Sequence, residues 1–168
     1  MNADDPGDGR AARRIDYYDD PSAPEANSIV PSANVAVVDD DGRILVIHRT
    51  DNDNWALPGG AQDFGESLPQ CGVRETKEET GIDCEITGLV GIYTDPKHVV
   101  HYTSNDEVRQ EFSVLFSAHA IGGELAASSE SREVLWLAPH ELAERRMDRS
   151  MRLRVAHLLE RRAAPYLG

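Results

Sequence analysis

The stretch from Gly59 to Ile82, GGAQDFGESLPQCGVRETKEETGI, decides how this 168-residue chain folds and what chemistry it can perform. Its second half carries three glutamates, Glu75, Glu78 and Glu79, at the spacing of neighbours on one helical turn. Two carboxylates about 5.5 Å apart repel each other by roughly 3 kcal/mol at an effective dielectric constant near 20. Such crowding requires an explanation.

Complete helix start and stop signals surround these glutamates. Ser67 is a favourable N-cap, Gln70 completes a capping box, and Pro69 lies in the first turn, where its missing N–H is not needed. Gly81 supplies a C-terminal stop. These signals predict a helix over residues 68–80, which places the glutamates in its second half, where the helix dipole disfavours carboxylates.

Two interpretations explain the cluster. In the first it is a solvated charged face, on which Arg74 pairs with Glu78 four residues on and Lys77 screens the rest. In the second it binds a hard cation such as Mg²⁺, which takes carboxylate, water and phosphate oxygens in octahedral geometry. The glycine-rich LPGG before the helix and Glu66 just before its cap favour the metal site.

The spacing resembles the signature of the Nudix hydrolases. Every fixed position of that signature is matched, by Gly60, Glu66, Arg74, Glu75, Glu78, Glu79, Gly81 and the apolar Ile82. Seven specified residues would coincide by chance at roughly 10⁻⁸ per starting point. The one departure is Thr76, where the family usually has an aliphatic residue. With the strand order around the signature, the likeness extends over about residues 28–159.

The resemblance implies an α+β protein with the Nudix fold, an α/β/α sandwich around a mixed β-sheet. Strands are predicted in NVAVV and RILVIHR, joined by a turn at Asp41-Gly42, and in EITGLVGIYT, EFSVLFSAHA and EVLWL. A C-terminal amphipathic helix follows, with its apolar positions at Met151, Val155, Leu158 and Leu159. The domain is expected over residues 28–168, after a polar and partly disordered leader over residues 1–27.

The resemblance also implies a reaction and its residues. Nudix enzymes cleave the diphosphate of a nucleoside diphosphate linked to another group, by attack of water with Mg²⁺ or Mn²⁺ as cofactor. The match to the family signature implies that Glu75 and Glu79 are the main metal ligands, that Glu78 helps to bind the metal, and that the carbonyl of Gly59 is a backbone ligand. Arg74 orients the glutamates, whereas the role of Glu66 stays open between metal contact and loop structure.

Water activation in the family often falls to a glutamate outside the signature, on a loop late in the sheet. Glu130, in SSESREVLWL, is the candidate for this general base or an extra metal ligand. Glu75, Glu111 and Glu133 are the alternatives.

Three residues are predicted to contact substrate. Arg49 lies where relatives place a phosphate-contacting arginine, although a surface salt bridge is an equal interpretation. Tyr93 and His98, in YTDPKHVVHYTSND, are expected to stack a base or bind ribose; the alternative is a plain surface loop. Pro96 falls near the proline that ADP-ribose-cleaving members carry, which slightly favours ADP-sugars.

Three classes of function therefore stay open. The first is a hydrolase of nucleoside diphosphates linked to another group, such as ADP-ribose, a related ADP-sugar or a dinucleotide. The second is a pyrophosphohydrolase that sanitises modified nucleoside triphosphates. The third, a non-catalytic nucleotide sensor, is disfavoured because sensors usually show broken signature residues or an added DNA-binding domain.

The charge composition restricts the kinds of partner that the protein is expected to bind. With 30 acidic and 17 basic residues, the net charge of −13 repels nucleic acid and anionic membranes, so a small-molecule nucleotide is expected as partner. The opening MNADDPGDGR has no apolar run of a signal peptide, which predicts a cytoplasmic protein. Many members of the family are homodimers, and the resemblance raises that expectation here.

Overall fold

A computed structural model describes residues 13–168 of the chain. No helix in this part has the length and apolar character needed to span a membrane. The strands are β1 (Arg14–Tyr18), β2 (Ser28–Ile29), β3 (Ser32–Val38), β4 (Ile44–Arg49), β5 (Trp55–Ala56), β6 (Gly59–Ala61), β7 (Ile82–Tyr93), β8 (His98–Tyr102), β9 (Glu107–Gln110), β10 (Ser113–Gly123), β11 (Ser131–Leu137) and β12 (Tyr166–Leu167); the helices are α1 (Leu68–Thr80), α2 (Pro139–Ala143) and α3 (Arg149–Leu159).

The main sheet is mixed, as predicted. Its strands lie in the order β11-β4-β3-β10-β7-β12, with β5 beside β4 and β6 beside β3. β10 runs parallel to β3 and antiparallel to β7. The short strand β6 sets Gly59 opposite Asn34 of β3, so the loop that leads into α1 is fixed to the sheet.

Helices cover both faces of this sheet. Alternate residues of a strand face opposite sides, and along β10 the side chains of Val114 and Phe116 pack with Cys71 of α1. Leu115, between them, belongs to the larger core that contains Met151 of α3. The prediction of an α/β/α sandwich is thereby confirmed.

A second, four-stranded sheet has the order β1-β8-β9-β2. Its strand β8 lies within YTDPKHVVHYTSND, so the interpretation of that segment as a plain surface loop is wrong: β8 forms an antiparallel hairpin with β9, which follows the segment. The reason is packing, because Val99, Val100 and Val108 are all buried.

Part of the expected leader is strand. β1 pairs antiparallel with β8, from Arg14 opposite Tyr102 to Tyr18 opposite His98. Folded structure therefore begins before residue 28, whereas residues 1–12 of the leader lie outside the described residues. The boundary of the domain at residue 28 stays a prediction.

Helix α1 has the bounds and caps predicted from the sequence. The Ser67 hydroxyl accepts a hydrogen bond from the Gln70 N–H at 3.3 Å, and the Gln70 side chain accepts one from the Ser67 N–H at 2.8 Å. Gly81 ends the helix in the left-handed region, with φ 77°. A Cβ there would lie 2.2 Å from the carbonyl oxygen of Glu124, so only glycine fits.

Helix α3 buries a slightly different face from the one predicted. Met151 and Val155 are buried and Leu158 packs partly against the core, but Leu159 is 45% exposed, so the prediction for Leu159 is wrong. The buried face instead includes Arg154, three residues after Met151. An arginine at a core-facing position indicates a polar surface beneath it.

Candidate active site

One large cavity, of about 490 Å³, joins the signature helix to both sheets. Its lining includes both carboxylates and guanidinium groups: Glu75, Glu79, Glu111, Glu130, Asp51, Asp148, Arg14, Arg49, Arg109 and Arg154. Carboxylates facing a cavity that also carries cations can hold metal ions and bind anions together.

Glu79 is the most buried of the three helix glutamates, with 4% of its surface exposed. The N–H of Gly59 donates a hydrogen bond of 3.2 Å to its carboxylate, because β6 brings that backbone beside the helix. Burial raises the pKa of Glu79 to about 8, against the Gly59 hydrogen bond and the charge of Arg49, while Glu75 and Glu130 add to the rise. A buried carboxylate beside two others is stabilised by a nearby cation.

Arg74 is the counterion of the remaining acidic groups. Its guanidinium makes two hydrogen bonds to Glu66, at 2.7 and 2.9 Å, one of 2.9 Å to Glu75 and one of 3.1 Å to Glu78. The hydrogen bond from Arg74 lowers the pKa of Glu66 to about 2. This arrangement is what an orienting arginine requires, and it ties Glu66 to the loop.

Gly60 leaves room for Glu75. A Cβ at position 60 would lie 2.5 Å from the carboxyl carbon of Glu75, so any larger residue would displace this side chain. Burial raises the pKa of Glu75, while Arg74 opposes the rise. The glycine is therefore part of the site and not only of a turn.

The solvated face explains one of the three helix glutamates, and the cavity accounts for the other two. Glu78 has a 59% exposed side chain and its ion pair is with Arg74, as expected of a solvated face. Lys77 pairs with Asp83 and not with the glutamates. Glu79 and Glu75, by contrast, face the cavity, so the solvated face does not account for them.

The carboxylates of Glu75 and Glu79 in the cavity wall are donors that suit a hard divalent cation. Within residues 13–168, no three His, Cys, Asp or Glu side chains are already converged for a metal ion. Nη1 of Arg74 holds the carboxylates of Glu75 and Glu78 instead.

The three outer candidates for the base lie in different environments. Glu130 is exposed and lines the same cavity as Glu75 and Glu79. Glu111 also lines the cavity but is paired with Arg154 at 2.7 Å. Glu133 is exposed and does not line the cavity; its Oε2 lies 4.0 Å from Nδ1 of His48.

Of the three residues predicted to contact substrate, two line the cavity and one does not. Arg49 lines the cavity, and its Nε donates a hydrogen bond of 2.8 Å to Asp51. His98 also lines it, but its Nε2 is held by Asp16 at 2.8 Å, so its visible role is to anchor β1. Tyr93 lies outside the cavity: it is buried, and its hydroxyl is 2.9 Å from Nδ1 of His157. The prediction that Tyr93 contacts substrate is not supported by this geometry.

The cavity residues that were not predicted from the sequence include Arg14, Arg109 and Arg154. Arg14 lies in the stretch RIDYY, whose alternating Ile15 and Tyr17 are a signal for a short strand. Arg154 carries no such signal, because an arginine on an amphipathic helix normally faces solvent.

An α/β/α sandwich that carries a glutamate cluster on a helix behind paired glycines defines the class of protein. The chain belongs to the NUDIX family: the family model described as NUDIX domain matches residues 29–158. A NUDIX hydrolase from Nitrosomonas europaea has the same fold, with a TM-score of 0.66 and 18% identity over 82% of this chain and 93% of that one.

Relatives in sequence have several named activities. The chain is 41% identical to a MutT-like protein of Streptomyces ambofaciens, over 65% of this chain and 64% of that protein. It is 35% identical to an ADP-ribose pyrophosphatase of Methanocaldococcus jannaschii, over 58% of this chain and 55% of that protein. It is 33% identical to a putative 8-oxo-dGTP diphosphatase of Bacillus subtilis, over 66% and 67%. The chain thus spans less than two thirds of the first two relatives.

Proposed function

We propose that this protein is a divalent-metal-dependent pyrophosphohydrolase that cleaves the diphosphate of a nucleoside diphosphate linked to another group, with ADP-ribose or a related ADP-sugar or dinucleotide as substrate. The observation that carries the proposal is the placement of Glu75 and Glu79 in the wall of a cavity that also presents Arg49. Carboxylates alone would repel a diphosphate, so their position in a substrate-sized cavity makes sense with a metal ion between them and the phosphates.

Each signature residue then has a role. Glu75, Glu79 and the Gly59 carbonyl hold the metal, and Glu78 joins them from the exposed side. A bound Mg²⁺ or Mn²⁺ would neutralise the charge of the phosphate oxygens and favour in-line attack by water. Arg74 keeps the glutamates in place through its four hydrogen bonds to carboxylates. The expected homodimer and the cytoplasmic location stay predictions.

Glu130 takes the proton of the attacking water in this proposal. Replacing it by glutamine removes the base but leaves the fold, because its side chain is exposed and only its backbone is bonded, to Ser128 and Thr50. We expect kcat to fall about 10²-fold, with a smaller change in KM. Steady-state kinetics measure both.

Glu133→Gln is the matched control, since it makes the same change three residues away and outside the cavity. It should retain full activity. If Glu130→Gln were as fast as the parent, the role of base would pass to Glu75 or Glu111.

The substrate class is tested by the products. ADP-ribose and related diphosphate-linked nucleotides should yield two monophosphates, which chromatography resolves. The second candidate, a nucleoside triphosphate pyrophosphohydrolase, is favoured by the similarity to a putative 8-oxo-dGTP diphosphatase and would release pyrophosphate instead. Failure to hydrolyse any member of a panel of both kinds with Mg²⁺ or Mn²⁺ would contradict the proposal.

A further inference from the structure

Arginines from four separate elements line the cavity. Arg14 comes from β1, Arg49 from the end of β4, Arg109 from β9 and Arg154 from α3. β1 precedes the region that the family model matches. A concentration of guanidinium groups is unexpected in a chain with a net charge of −13.

Three of these guanidinium groups are paired in the same way. Arg14 donates from Nε and Nη2 to the carboxylate of Asp16, at 3.0 and 2.9 Å. Arg49 donates from the same two nitrogens to Asp51, in the turn after β4, and Arg109 to Glu107. A side-on pair leaves Nη1 of each arginine without a hydrogen bond to the described residues, and a guanidinium has five N–H donors.

Arg154 is the most deeply buried of these arginines. It is 4% exposed, its Nη2 donates to Glu111 at 2.7 Å, and its Nε has no hydrogen-bond partner among the described residues. A buried donor without an acceptor is costly, which points to an acceptor brought by a ligand.

Each of these arginines has a carboxylate beside it, so the groups alternate in charge. Arg14 is paired with Asp16, Arg49 with Asp51 and Arg154 with Glu111. Burial lowers the pKa of Arg154, Glu111 opposes this, and the charge of Arg14 lowers it further. An anion bound here would add an acceptor for the guanidinium N–H groups that these carboxylates do not use.

We propose that Arg14 and Arg154 bind a phosphate group of the substrate that lies outside the anhydride cleaved beside Glu75 and Glu79. The position of the cleaved bond rests on the proposed function; the anion-binding subsite rests on the arginines alone. Two sources share this chemistry, namely the additional phosphate of a nucleoside triphosphate and a phosphate monoester elsewhere on a diphosphate-linked nucleotide.

The strand that carries Arg14 is held firmly enough to position it. Asp16 pairs with the buried His98 at 2.8 Å, and Tyr18 stacks on the same imidazole at 4.4 Å between ring centroids. The Tyr18 hydroxyl also accepts a hydrogen bond from the Ser150 N–H of α3. β1 is thus tied to β8 and to α3, so its guanidinium is preorganised for an anion.

Matched substrate pairs test the subsite. ATP and ADP differ by the additional phosphate of the chain, and NADPH and NADH differ by a phosphate monoester. The parent should favour the phosphate-richer member of one pair by about tenfold or more in kcat/KM, because a hydrogen bond to a charged group is worth at least that factor. Arg14→Gln should remove the preference, Arg14→Lys should restore part of it, and Arg13→Gln should keep it, since Arg13 is exposed and does not line the cavity.

The pair that shows the preference identifies the source of the phosphate. A parent without preference in either pair would overturn the subsite. An Arg14→Gln variant that kept the preference would also overturn the subsite. So would a variant that lost the same factor in kcat/KM for both members of a pair, since a merely structural role of Arg14 would produce that result.

A metal-free measurement separates this proposal from the proposed function. In EDTA, calorimetric titration should show that the parent and Arg13→Gln bind tripolyphosphate and that Arg14→Gln binds it about tenfold or more weakly. Binding of this kind without hydrolysis of any nucleotide would contradict the proposed function and leave the subsite standing. Equal affinities of the parent and Arg14→Gln would overturn the subsite, whatever the activity.

Discussion

Replacing Glu79 by glutamine is expected to lower kcat by about 10²-fold or more while the metal-free protein melts no lower than the parent. The carboxylate is buried, 4% exposed, beside Glu75 and near the C-terminal end of α1. Burial raises the pKa of Glu79 to about 8, so without metal the carboxyl is mostly neutral near pH 7, and a neutral glutamine of similar size whose amide oxygen can still accept from the Gly59 N–H costs the fold little. Above that pH, glutamine also removes like-charge repulsion and an unfavourable interaction with the helix dipole. In either range the substitution removes a charged metal ligand.

The two effects are measured together by thermal melts, with and without Mg²⁺, and one activity assay. Metal should raise the melting temperature of the parent and raise that of Glu79→Gln much less, because a ligand stabilises the fold in proportion to its occupancy of the native site. Glu85→Gln, an exposed change on β7, should behave as the parent in every measurement. If the Glu79→Gln protein stayed active and metal raised its melting temperature as much as that of the parent, the glutamates of the helix would be only a charged surface.

Chelation is the second change with a large expected effect. EDTA should stop hydrolysis of a good substrate, and an excess of Mg²⁺ or Mn²⁺ should restore it, because the acidic cavity wall and the net charge of −13 both repel a diphosphate. The measurement is the rate of product release before chelation, in EDTA, and after metal is returned.

A melt of the chelated protein serves as control, since the loss of rate should not reflect unfolding. The metal-dependent part of the stability is expected to be about 2.7 kcal/mol at a metal concentration 100 times Kd. Undiminished hydrolysis in the chelator would contradict the account of the carboxylates as metal ligands.

The signature helix could be predicted to the residue because its determinants are local. Ser67, Gln70 and Gly81 act through hydrogen bonds and dihedral angles within a few residues of the helix ends. The main strands were predictable for a similar reason, since runs such as NVAVV and RILVIHR form strands wherever they are buried. The division between exposed Glu78 and buried Glu79 was not predictable, because it depends on where β6 places Gly59.

The residues that were missed depend on contacts distant in sequence. Arg14 enters the cavity because β1 pairs with β8, more than 80 residues later, and the polar stretch around it reads as a leader. Arg154 faces the interior because the carboxylate of Glu111 accepts a hydrogen bond from its guanidinium there. His98 was expected to meet substrate, but Asp16 and Glu111 both lie beside its ring and hold it in the wall.

Binding of Mn²⁺ followed by electron paramagnetic resonance tests the central claim, that the signature glutamates hold a divalent metal. Addition of the parent protein should reduce the signal of free Mn²⁺ in a saturable manner, and Glu85→Gln should do the same. Glu79→Gln should bind about tenfold or more weakly, by the loss of one charged oxygen ligand. Equal binding by the parent and Glu79→Gln would contradict the account.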